Sequence, residues 1–108
     1  MSVVSGVTLI TSLSDGEYQG SGDLLLALND FLKRAGYDRG SFIEISSFYG
    51  GSKHPQCSVY AGGFNHFSGY HESLITWVAA FKWENPENVV LVIQPEEGET
   101  IVFRPLGE

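Results

Sequence analysis

Two hydrophobic rhythms succeed one another along the chain, one of period two and one near 3.6, and their order predicts its elements. Val3 to Leu13 is rich in β-branched residues, with Val7 and Leu9 on one side of a strand and Thr8 and Ile10 on the other. Both sides are therefore partly apolar, which predicts a strand covered on two faces or half wet on one. Ser12 to Gly22 is rich in Ser, Gly and Asp and predicts a loop. The period changes in Ser21 to Ala35, where Leu24, Leu28, Phe31 and Ala35 recur at helical spacing and Leu25 and Leu32 widen the stripe. Ser21 is placed to cap this helix, Lys33 and Arg34 suit its last turn, and Gly36 suits its end. Asn29 is expected to face water.

Period two returns in Ser41 to Tyr49 and again in Gln56 to Ala61, separated by a Gly- and Pro-containing loop. Their closeness predicts an antiparallel pair. Gly62 and Gly63 are expected to end the second strand. Tyr70, Leu74, Trp77, Val78 and Phe81 mark an amphipathic helix over Gly69 to Trp83, closed by Asn85 and Pro86. Val89 to Ile93 is a continuous apolar, largely β-branched run that predicts a central strand buried on both faces. An acidic turn, Pro95 to Glu99, leads to a short last strand, Thr100 to Phe103.

The predicted order is β-α-β-β-α-β-β. It describes one α+β domain spanning residues 1–108, with two helices packed on one face of a mostly antiparallel sheet. The first six elements follow the ferredoxin-like order, with an added C-terminal strand.

Charge narrows the range of partners. Thirteen acidic residues face six Lys and Arg, for a formal net charge of −7. Direct nucleic-acid binding is disfavoured because it requires cations to neutralise phosphates, and anionic membranes are disfavoured for the same reason. A protein partner with a basic surface is favoured, including one that would otherwise hold nucleic acid. Six Glu and a single basic residue, Arg104, lie between Glu84 and Glu108, which concentrates the negative charge in the last quarter. The lone Cys57 cannot form an internal disulfide and favours a reducing, cytoplasmic setting. No signal peptide and no membrane-spanning run is read in the sequence.

Candidate chemistry is sparse. His54, Cys57, His66 and His71 follow H-x2-C-x8-H-x4-H, and imidazole and thiolate are zinc ligands. Paired metal knuckles are absent, so the plainer account is scattered histidines and a packed thiol. The same histidines with Tyr18 define an alternative, a small enzyme or ligand-binding site. Glycine pairs at 50–51 and 62–63 lack the spacing of a phosphate loop. No catalytic residue and no cofactor is assigned. Tyr49, Tyr60 and Phe64 are expected to be exposed contact aromatics, and Glu96, Glu97 and Glu99 to form an acidic contact hairpin; Trp77 and Phe81 are expected in the core. These features favour a non-catalytic interaction protein that inhibits, neutralises or regulates a macromolecular partner. A structural subunit or homodimer joined by strand edges is a further alternative.

Overall fold

The structure, a computed structural model, describes residues 4–12, 24–45, 51–52 and 57–105. Five strands form one sheet: β1 (Val4–Ser12), β2 (Ile43–Glu44), β3 (Cys57–Asn65), β4 (Val90–Pro95) and β5 (Ile101–Phe103). Among the described residues two α-helices, α1 (Leu24–Ala35) and α2 (His71–Ala80), join them. The strand order is β2-β3-β1-β4-β5, and every neighbouring pair is antiparallel. This is the ferredoxin-like arrangement with β5 added beside β4, as the sequence predicts.

The odd-numbered residues of β1 point into the core. Val7 and Leu9 pack with Tyr60 and Phe64 of β3, Leu91 and Ile93 of β4, and the helical stripes Leu24, Leu28, Phe31, Leu32 and Leu74, Val78. The stripe predicted for α1 is therefore the buried one. α1 ends as its glycine requires: Gly36 adopts φ +89°, its N–H donates to the Lys33 carbonyl, and the Tyr37 N–H donates to the Leu32 carbonyl. Those two bonds satisfy carbonyls that the helix end would otherwise leave open. The proposed Ser21 cap lies outside the described residues.

Several expectations are corrected. β1, not β4, is the middle strand. β4 alternates, with Leu91 and Ile93 buried and Val90 and Val92 half-buried. Its largely β-branched run reflects fitness for a pleated backbone, which does not distinguish a covered face from an open one. β3 does not stop at the glycines but runs through Gly62 and Gly63 to Asn65. Gly62 pairs with Val7 and Gly63 with Gly6. α2 ends at Ala80, short of Trp83, because Phe81 turns extended (φ −67°, ψ 143°). The Trp83 indole Nε1–H then donates to the Val78 carbonyl at 2.8 Å, supplying a donor at the helix end.

Asn29 does not simply face water. Its side-chain Oδ1 accepts from the Phe42 N–H at 2.7 Å and its Nδ2 donates to the Phe42 carbonyl at 3.3 Å. This clasp ties α1 to the chain leading into β2 and satisfies both backbone groups of a residue that is 2% exposed.

Candidate functional site

Both helical stripes join a core built on one side of the sheet, and the other side carries neither stripe. Antiparallel register places residues directly opposite one another on the same face, so the open side can be read across the strands. One row runs Ile43, Ala61, Thr8, Val92, Val102. The next holds Val59, Ile10 and Val90, extended by Ile45, whose N–H donates to the Val59 carbonyl at 2.9 Å. On the other side lie Gly63, Gly6 and Gln94, then Asn65 and Val4. β-Branched residues dominate, and the two central rows within the strands carry no formal charge.

Among the described residues this face gathers most of the exposed apolar bulk. Of the five large hydrophobic side chains exposed among those residues, Val4 (43%), Ile43 (56%), Ile45 (37%) and Val102 (59%) belong to it. The fifth, Leu26, lies on α1. Scattered apolar residues need no explanation, but a contiguous patch marks a contact surface. The glycine row sinks into a shallow depression of about 400 Å³, floored by Gly6 and Gly63 and walled by Thr8, Ile43, Ala61 and Gln94. A Cβ built on Gly63 meets nothing within 4 Å. The hollow therefore exists because side chains are missing there, not because the backbone is pinched.

The β4–β5 hairpin borders the face. Gly98 sits at its tip with φ +108°, and Glu96, Glu97 and Glu99 are all exposed. The Glu96 N–H donates to the Val4 carbonyl at 2.7 Å, and Glu96 Oε1 accepts from the Val4 N–H at 2.9 Å. Glu96 thus continues the β1–β4 ladder and shares the open side with Val4. One residue beyond β5, exposed Arg104 continues the alternation of Val102 at the far end of the same side.

The other sequence-predicted residues scatter. Tyr60 is 1% exposed and Phe64 0%, so neither offers a surface contact. Both lie on the helix side of β3, where Phe64 stacks edge-on against Tyr37 (5.4 Å) and Phe42 (5.1 Å). Alternation alone could not say which side of β3 the helices cover. Tyr49, His54 and Tyr18 lie outside the described residues. Trp77 and Phe81 are half-buried and pack on the core, as expected in outline. Glu44 stands exposed on its edge strand.

The metal reading loses its geometry. Cys57 begins β3 and His66 follows its last residue, a separation of roughly 30 Å at ~3.3 Å per residue, whereas zinc needs ligands within about 2.3 Å of one ion. Among the described residues no group of three or more His, Cys, Asp or Glu is placed to hold a metal. His71 has a different partner: its Nε2 and the Ser5 hydroxyl lie 3.0 Å apart. Burial pushes the His71 pKa below its usual value, favouring the neutral ring. Ser5 is 1% exposed, beyond the reach of a substrate, so this pair fastens α2 to β1 rather than forming a nucleophile and base.

Among the described residues no helix is long and apolar enough to cross a membrane. No family model, no curated protein and no solved structure matches the chain.

Proposed function

We propose that this chain is a small, non-catalytic, cytoplasmic interaction protein that regulates, inhibits or neutralises a macromolecular partner with a basic surface. The observation that carries the reading is the open sheet face, where an acidic protein places most of the apolar bulk exposed among its described residues. An uncharged, β-branched surface of this kind supplies contact area rather than chemistry. The adjoining hairpin supplies long-range attraction: three exposed carboxylates around a glycine turn would steer a basic surface inwards and favour it over acidic competitors. A partner that otherwise holds nucleic acid has the required charge.

The test is affinity capture at moderate salt with the wild-type chain and with Glu97→Lys/Glu99→Lys as baits. The wild type is expected to retain a basic partner whose binding weakens steeply as salt rises. The reversed bait is expected to lose it. Equal retention by both baits would remove the hairpin, and with it the proposed mode of recognition.

A further inference from the structure

We infer that the open sheet face pairs with the same face of a second copy, about a two-fold axis lying between the sheets and running across the strands. The inference rests on the interaction-surface reading and names the occupant of its apolar part.

Charge makes the first argument. Two copies that each carry −7 repel one another, so self-association requires a surface from which that charge is absent. The rows centred on Thr8 and Ile10 are such a surface. The carboxylates that would meet a basic partner lie outside these rows, in the hairpin, so the rows themselves are left for a second copy.

The rim makes the second. Glu96 and Arg104 border the face at opposite ends. Register sets Arg104 level with Val90, six residues from Glu96 along β4, or roughly 20 Å at ~3.4 Å per residue. The midpoint of that distance falls level with Ile93 and Val7, which are themselves paired. A two-fold axis across the strands at that level exchanges the two ends. Each Arg104 then stands over the Glu96 of the other copy, one strand aside, an offset that the ~30° crossing of packed sheets accommodates. Among the described residues Arg104 makes no ion pair within its own chain.

Relief makes the third. The same axis lays the row of Ile43, Ala61, Thr8, Val92 and Val102 over the glycine-floored row of the other copy. A ridge of β-branched side chains thus meets a hollow, twice, by symmetry. Five strands ~4.8 Å apart and four rows of side chains cover roughly 500 Å² per copy, so pairing removes about 1,000 Å², the size at which specific interfaces begin. Edge-to-edge pairing has less to offer, because the edge strands β2 and β5 span only two and three residues.

The experiment is sedimentation equilibrium from 1 to several hundred micromolar, with circular dichroism to confirm folding of each variant. The wild type is expected to dimerise reversibly. Val92→Lys puts like charges near the axis of both copies and is expected to weaken the dimer at least ~100-fold. Glu96→Lys and Arg104→Glu are each expected to weaken it about 3- to 10-fold, and the double reversal to restore it to within about twofold of the wild type. A folded wild type that stays monomeric throughout overturns the inference. So does a dimer indifferent to Val92→Lys, or single reversals that the double reversal fails to rescue. Because Glu97 and Glu99 are untouched, a failure here leaves the hairpin capture experiment to judge the functional proposal separately.

Discussion

Gly62 and Gly63 are chemically identical neighbours with opposite surroundings, and substituting each by alanine tests the packing account of the sheet. A Cβ on Gly62 would lie 2.4 Å from Phe64 Cζ, 2.9 Å from Cε2 and 3.0 Å from Cε1. The ring has little room to withdraw: it is 0% exposed and held by Tyr37 at 5.4 Å, Phe42 at 5.1 Å and Phe67 at 4.9 Å. Forcing a methyl group into such a core costs about 1–3 kcal/mol. Against that stands a gain of roughly 0.5–1 kcal/mol from replacing glycine within a strand. Gly62→Ala is therefore expected to lose up to about 2.5 kcal/mol, whereas Gly63→Ala, whose Cβ meets nothing within 4 Å, is expected to gain up to about 1 kcal/mol. Urea denaturation at low micromolar concentration, where the monomer prevails, reads both. In a Phe64→Leu background the ring is gone, and the penalty of Gly62→Ala should largely vanish. Equal effects at the two glycines, or an unchanged penalty in the leucine background, would refute the claim that the Phe64 ring dictates glycine at position 62.

Asn29→Ala removes both bonds of the Phe42 clasp and leaves a buried backbone N–H and C=O without that partner, so a loss of about 2–4 kcal/mol is expected in the same denaturation assay. Stability should also fall on mild acidification. The folded pKa of His71 lies below its unfolded value near 6.5, so the unfolded chain binds more protons in the interval between them. The contribution of the neutral ring is complete above about pH 6.5 and is lost as pH falls through the folded value. Melting temperatures of the wild type and His71→Gln, recorded from pH 7.5 to 5, should converge as the pH drops.

Much of this fold was legible because local rules and tertiary structure agree. The Leu24–Leu28–Phe31–Leu32 stripe, the Gly36 stop and the antiparallel β2–β3 pair follow from spacing and turn chemistry alone. What failed depends on register and on the side a helix takes. Tyr60 and Phe64 stand out in the sequence as contact aromatics beside the central loops but are buried, and the glycines expected to end their strand are the spaces that the Phe64 ring and the open hollow require. The open face itself had left a signal. Thr8 and Ile10 on β1, like Val90 and Val92 on β4, are apolar or β-branched where a water-facing strand would be polar, so the sequence asked for a second cover that the helices do not provide. The acidic hairpin was visible as composition, but its place beside that face was not, since it depends on pairings between residues more than eighty positions apart.

The position of β1 has a consequence for the kinetics of assembly. Of the five strands it leaves the ribosome first, yet its neighbours are residues 57–65 and 90–95, so it waits longest for both of its edges to be covered. Loops of more than forty residues must close before either partner arrives, which slows folding relative to a helical bundle of equal size. Until then a β-branched segment with an unpaired edge is open to other nascent chains, and the wait for its second neighbour is set by translation through the last quarter of the sequence.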